Sequence, residues 1–332
     1  MLNILSRILF YALFFVQISN AQLVPIGEHE LSNTTGQAFI NVDRLQTARN
    51  SSNELIDTTK ITLGLDIKTS LNSDLLELGN YVRNGSAGSD IRINDFALGK
   101  IDSNGEIVPF EISDPFIELA FDTDASGKEN LIGLRLGFGG AKGALSGNIE
   151  SLTGKVNVDI VGRAEPIRDV AGFWNNILLS AAGVSDNTRL RAAAELVQPN
   201  GVPNAVRSTM VGIPNGDTLG CEQGCNLGGL SNFLLGLFGS NNCSVLGIAT
   251  CFPIGLYRTL DVGTKQTDGS YTQSPGLYLS FLSEKLTWEP GTQQAETGAF
   301  LNVPNGGLEV DFQQAFNGTV RARTKYVDAY YD

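Results

Sequence analysis

In Ile132-Gly133-Leu134-Arg135-Leu136-Gly137-Phe138-Gly139, Ile132, Leu134, Leu136 and Phe138 fall on one face, and Gly133, Arg135, Gly137 and Gly139 on the other. Side chains alternate with period two only in an extended strand, so the segment is a strand and not a helix. A glycine-lined strand face is weak by itself and marks a place where other groups approach the backbone closely. Working outward, the same alternation appears at Phe110 and Ile112, at Ile117, Leu119 and Phe121, and at Val156, Val158 and Ile160. Ile91 and Ile93 lead to Phe96 and Leu98, a change of phase that predicts a bulge. Asn-Gly at 84–85, 104–105, 200–201, 215–216, 305–306 and 317–318, and Asp-Gly at 268–269, supply the positive φ angles of tight turns. The expected fold class is mainly β: an elongated antiparallel sheet or sandwich with one or two short helices.

Helical periodicity is scarce. From Pro166 to Gly183, the residues Ile167, Val170, Ala171, Trp174, Ile177, Leu178 and Ala181 follow i, i+3, i+4 spacing. A second short candidate runs from Gly229 to Phe238. Residues 188–197 alternate and read as a hairpin with 204–213, with a helix over 187–197 as the alternative. Strands are expected again at 257–264, 276–288, 298–303, 308–316 and 318–330. The expected organisation is a signal peptide (1–21), an N-terminal glycine-rich β region (22–162) and a second β-rich region (163–332). The last of these carries the helix 166–183 and a cysteine insert at 221–251.

The N-terminus reads as an export signal. Arg7 precedes the apolar run Ile8–Ile18, and Ser19-Asn20-Ala21 is a small-x-small cleavage site that leaves Gln22 first. The apolar run is shorter than a membrane-spanning helix requires, and no integral span is expected after cleavage. In an exported chain an even set of cysteines implies disulfides. Cys221, Cys225, Cys243 and Cys251 are therefore expected to pair, and three connectivities are open. A zinc site fits less well, because the second spacing, C-x7-C, exceeds that of usual ligand pairs. Small closed loops of this kind contribute roughly 2–3 kcal/mol each in the chain-entropy description.

Composition narrows the function. The chain has 332 residues, a net charge of −12, and 17% charged residues. It lacks the basic footprint that nucleic-acid binding needs. Its single histidine, His29, excludes centres built on several imidazoles, and a Ser-His-Asp triad would have to use that residue. Asp122, Asp124 and Ser126 imitate the start of a calcium loop, but Gly133 stands where a bidentate Glu belongs; a polar hairpin loop is the alternative. Gly137 to Gly143 imitates a phosphate loop without the Ser or Thr that must follow Gly-Lys. Glu309 and Asp311 lie two apart on one expected strand face, as an acid pair or a solvated face. No cofactor, metal or catalytic residue is assigned, and the chain is expected not to be an enzyme. The stripe Leu230, Phe233, Leu234 and Leu237, with Phe238, is either buried or a contact for a partner or lipid. The rarity of large exposed apolar patches favours burial.

Residues Glu30 to Asp43 (ELSNTTGQAFINVD) resemble the L-S-x-x-T-G-Q-x-x-I-x-x-D opening of a group of exported gammaproteobacterial proteins. In size, export signal and acidic β-rich character the chain is similar to the Fil pilus-assembly proteins of that group. The resemblance implies a fimbrial, cell-surface or adhesive role alongside other pilus or surface-assembly proteins, with oligomers compatible. It supplies no catalytic residues. The C-terminus looks like the terminal strand of chaperone–usher pilus subunits, but Arg321 and Arg323 interrupt its alternation. The expected function is a structural or adhesive component of a surface filament, joined by strand addition through Gln22–Val42 or Val320–Tyr331. The alternative is a periplasmic or outer-membrane-associated carrier of lipid or another hydrophobic ligand.

Overall fold

The computed structural model describes residues 40–124, 126–289 and 292–327. In it, β1 (Ile40–Asn50), β2 (Leu55–Leu63), β3 (Asp66–Thr69), β4 (Leu71–Arg83) and β5 (Ser86–Leu98) lead through the short pair β6 (Lys100–Ile101) and β7 (Ile107–Val108). Then come β8 (Phe110–Thr123) and β9 (Glu129–Ser151), the 23-residue spine of the fold. After β10 (Gly154–Val156) and β11 (Val158–Arg163) stand two short helices, Glu165–Val170 and Phe173–Ala181. There follow β12 (Arg189–Val197), β13 (Met210–Gly212), β14 (Gly220–Gln223) and the helix Gly229–Gly236. The chain continues through β15 (Ser244–Val245), β16 (Ile248–Ala249), β17 (Cys251–Pro253), β18 (Thr259–Val262), β19 (Thr264–Lys265) and β20 (Tyr271–Thr272). It closes with β21 (Tyr278–Leu282), β22 (Leu286–Thr287), β23 (Gly298–Val303), β24 (Glu309–Val310) and the helix Phe312–Asn317.

A twelve-stranded sheet runs β10-β23-β21-β9-β8-β2-β1-β22, with β3 on β8, β18 and β5 on β9, and β4 on β5. Since β22 closely follows β21 in the chain yet pairs with β1 at the other end of the order, the sheet curls on itself. A six-stranded sheet, β17-β13-β12-β11-β24 with β14 on β12, packs with the helices around Leu190, Ile160, Leu179 and Phe312. The fold is mainly β, as expected. Because β18, β21, β22 and β23 complete the larger sheet, residue 162 does not divide the chain into two separate sheets.

Over residues 133–137 the glycine face of β9 is the more deeply buried one. Gly133, Arg135 and Gly137 are buried, whereas Leu134 and Leu136 are half-buried on the opposite face. A Cβ at Gly137 would collide with the Phe116 ring, and one at Gly133 would lie 2.6 Å from Leu282. The missing side chains are thus the seats of neighbouring rings and chains, which is why a row of glycines survives in a strand interior. Gly137→Val is expected to overpack this seat at about 1–3 kcal/mol, read as a lower urea midpoint at unchanged slope. The bulge expected between Ile93 and Phe96 is present: Asp95 has φ +51° and the β5–β9 register shifts between Asn94 and Ala97.

Several expectations need correction. The helix 166–183 is broken into two at Ala171 and Gly172, where the backbone turns extended. Residues 308–316 form a two-residue strand and then a helix, because Asp311 and Gln314 make a reciprocal capping box that starts Phe312–Asn317. The described part of 318–330 contains no strand; Val320–Val327 is irregular. Residues 188–197 are a strand, β12, paired antiparallel with β13 as the hairpin reading required.

Candidate functional site

The four cysteines pair in sequence order, Cys221 with Cys225 and Cys243 with Cys251, at Cα separations of 6.4 and 5.1 Å. These bonds brace the two ends of a segment whose regular structure is one helix, Gly229–Gly236, and a two-stranded pair, β15–β16. The helix is anchored from inside. Leu235 and Ser231 are buried, and Leu234 and Phe238 are half-buried against the core beneath the six-stranded sheet. Asn232 Oδ1 accepts the Cys221 N–H, tying the helix to the first disulfide.

Its outer face is apolar and exposed: Leu230, Phe233 and Leu237 keep 53%, 64% and 61% of their surface in solvent. The stripe singled out in the sequence is therefore divided, with these three outward and Leu234 and Phe238 turned in. Burial, the fate favoured from sequence, holds only for the second group.

A second apolar face lies beside it. In the helix Phe173–Ala181 only Leu179 is buried, while Phe173 and Trp174 are 73% and 75% exposed and Ile177 and Leu178 are also exposed. The Phe173 and Trp174 rings meet edge to face at 5.4 Å. The turn after this helix touches the start of the other: the Asn226 N–H donates to Gly183 O at 3.0 Å, and a Cβ at Gly183 would lie 3.0–3.1 Å from Leu227 and Ser231. Asn175 donates to Leu246 O, joining the same helix to the β15–β16 turn. Residues 170–185 and 223–257 contain no Asp, Glu, Lys, Arg or His. In a chain with a net charge of −12, two adjoining helices thus present aromatic and leucine side chains with no charge in their own segments. The sequence places Trp174, Ile177 and Leu178 on one helical apolar stripe, and helical period marks such a stripe without saying what covers it. The signal that was available was the missing charge on the opposite face.

The remaining candidates are structural. Asp124 sits in the β8–β9 turn, where Oδ1 accepts the Ser126 and Lys128 N–H groups at 2.9 and 3.1 Å and the Ser126 hydroxyl. These donors hold its carboxyl below the usual range, the hydroxyl first. The carboxylate is thus engaged by its own turn, as a polar hairpin loop requires. Gly137 to Gly143 lies inside β9 and forms no phosphate loop. Glu309 pairs with Lys265 at 3.1 Å and Asp311 caps a helix, so the two acids serve separate local contacts. Among the described residues no group of three or more His, Cys, Asp or Glu converges to hold a metal. His29, the Ala21–Gln22 cleavage site, the signal segment and most of the L-S-x-x-T-G-Q motif lie outside the described residues.

The strand-addition segments are placed only in part. Ile40–Val42, the end of the first donor candidate, is already paired with Ile61–Leu63 in β1–β2. Among the described residues, Ile40–Ala48 has a strand partner on one side only, because β22 reaches just Arg49 and Asn50. An open edge of this length is a template for another strand. The second donor candidate has no strand in its described part.

Comparison of the chain with protein-family models, curated proteins and solved structures found no match.

Proposed function

We propose that this chain is a non-catalytic component of an exported surface assembly of the pilus type, and that the paired helical faces are its docking surface. The observation that carries this reading is the exposure of Phe173 and Trp174 on one helix and of Leu230, Phe233 and Leu237 at a second helix that lies between two disulfides. Interface centres are enriched in aromatic residues and depleted of charge, and this surface has that character. Clusters of large apolar side chains left in solvent mark interaction sites. The open edge of β1 supplies a second contact, for an added strand. The disulfides fit an oxidising compartment, and the resemblance of residues 30–43 to the Fil group supports a filament role.

Trp174→Asp/Phe233→Asp tests the reading in the producing bacterium. The double variant should fold and be exported at the wild-type level, since both side chains are in solvent, but its surface-assembled fraction should fall at least tenfold. Wild-type incorporation of the variant would contradict the docking surface. An equal loss after substitution of exposed Lys128, in the β8–β9 turn, would show that the effect is not specific to this face.

A further inference from the structure

A different part of the molecule, inside the larger sheet, holds an apolar cavity of about 210 Å³. Its walls come from β4 and β5, from β8 and β9, and from β18, β21 and β23; Leu78, Ile93, Phe110, Leu145, Leu260 and Leu279 line it from the first six of these. No polar surface opens onto it. Leu78, Leu145, Leu260 and Leu279 are only half-buried although they point into the fold.

Native cores keep few voids larger than a water molecule, because an unfilled wall forfeits its dispersion contacts. This lining offers an ordered water none of the two to four polar partners that hold one. The volume exceeds the roughly 150 Å³ in which a leucine- and phenylalanine-lined cavity takes up benzene. A charged or strongly polar ligand would be stranded without a hydrogen-bond partner. We infer that this cavity is a binding site for a compact uncharged hydrocarbon, a single ring with a short alkyl branch. The inference is independent of the helical docking faces, and it gives the hydrophobic-carrier alternative a ligand class and a seat.

Two measurements on the intact, disulfide-bonded protein decide it. An organic extract of the purified protein is analysed by gas chromatography–mass spectrometry, and a stoichiometric hydrocarbon supports the site. If the extract is empty, n-butylbenzene is titrated while Tm is followed, with hexafluorobenzene as a fluorine-NMR reporter. The expected result is a saturable rise in Tm and a distinct bound fluorine resonance. Both should be lost in Leu145→Phe, which fills the cavity, while its unliganded Tm stays near that of the wild type. Leu260→Phe, on another wall, replaces it if that variant does not fold. An empty extract with no saturable Tm rise and no bound resonance overturns the inference, as does an undiminished response in a folded, filled variant. Trp174→Asp/Phe233→Asp should bind as the wild type does, which separates failure of this site from failure of the docking surface.

Discussion

Arg135→Met should destabilise the fold by about 3–5 kcal/mol, as expected when one member of a buried ion pair is removed. Arg135 and Glu118 face each other across β8 and β9, with side chains 5% and 1% exposed. Arg135 Nε donates to Glu118 Oε2 at 2.9 Å, and Nη2 reaches both that oxygen and Glu289 Oε1, the latter at 3.1 Å. The guanidinium also lies 4.8–5.2 Å from the rings of Trp288, Tyr278 and Phe116. Burial in this cage pushes the Tyr278 hydroxyl up to about 12. The large loss comes from the carboxylate left behind: Glu118 Oε1 already lacks a hydrogen-bond partner among the described residues. Glu118→Leu/Arg135→Met, which removes both charges, should therefore recover most of the stability, since apolar replacement of a buried pair is often neutral. Urea unfolding followed by the fluorescence of buried Trp288 measures both variants. A double variant no more stable than Arg135→Met would refute the stranded-charge account.

Asp90→Ala should cost a similar amount, about 3–5 kcal/mol, and for the same reason seen from the other sign. Asp90 is fully buried. Its Oδ1 accepts from Arg207 Nε at 3.1 Å and lies 3.5 Å from Arg83 Nη2, while Oδ2 accepts the Ala299 N–H at 3.0 Å. Arg207 continues to the carbonyls of Ser86 and Tyr81 at 3.0 and 2.8 Å. One carboxylate thus ties the β4–β5 hairpin to β23 and to the loop after β12. Gly79 and Gly298 make room for it: a Cβ at either would collide with Oδ2, and both glycines have positive φ, +65° and +82°. Asp90→Asn keeps an acceptor for the Ala299 N–H and should lose less than Asp90→Ala. Equal losses in the two variants would contradict a role for the Ala299 hydrogen bond and assign the whole effect to the charge.

Much of the sheet was legible because strand chemistry is local. The alternation in β8 and β9, the phase change before Phe96 and the glycine-bearing turns each carry their own stereochemical cause, and every Asn-Gly or Asp-Gly glycine cited has positive φ. Which face of β9 turns inward was not legible. Apolar content points to Leu134 and Leu136, but the Phe116 ring, paired opposite Gly137 on β8, and the Trp288 ring, from a distant segment, need the glycine side. The helix Phe312–Asn317 was hidden by its shortness, although Asp311 and Gln314 carried a capping signal. The docking faces were half legible. Sequence isolates Leu230, Phe233 and Leu237 as an apolar stripe, yet the covering of such a stripe depends on tertiary contacts that periodicity does not encode. Trp174 was missed for the same reason. Asp90 and the cavity carry no local signature, for both are assembled from strands more than a hundred residues apart.

The docking surface is tested most directly by placing a photo-crosslinking amino acid at position 233 and, in a separate variant, at position 128, then irradiating intact cells. Both positions are exposed on the isolated chain. The account predicts a discrete, high-yield adduct with a surface-assembly component from position 233 and none from position 128. Equal yields from the two positions, or no adduct from 233 in cells that assemble the chain at their surface, would contradict it.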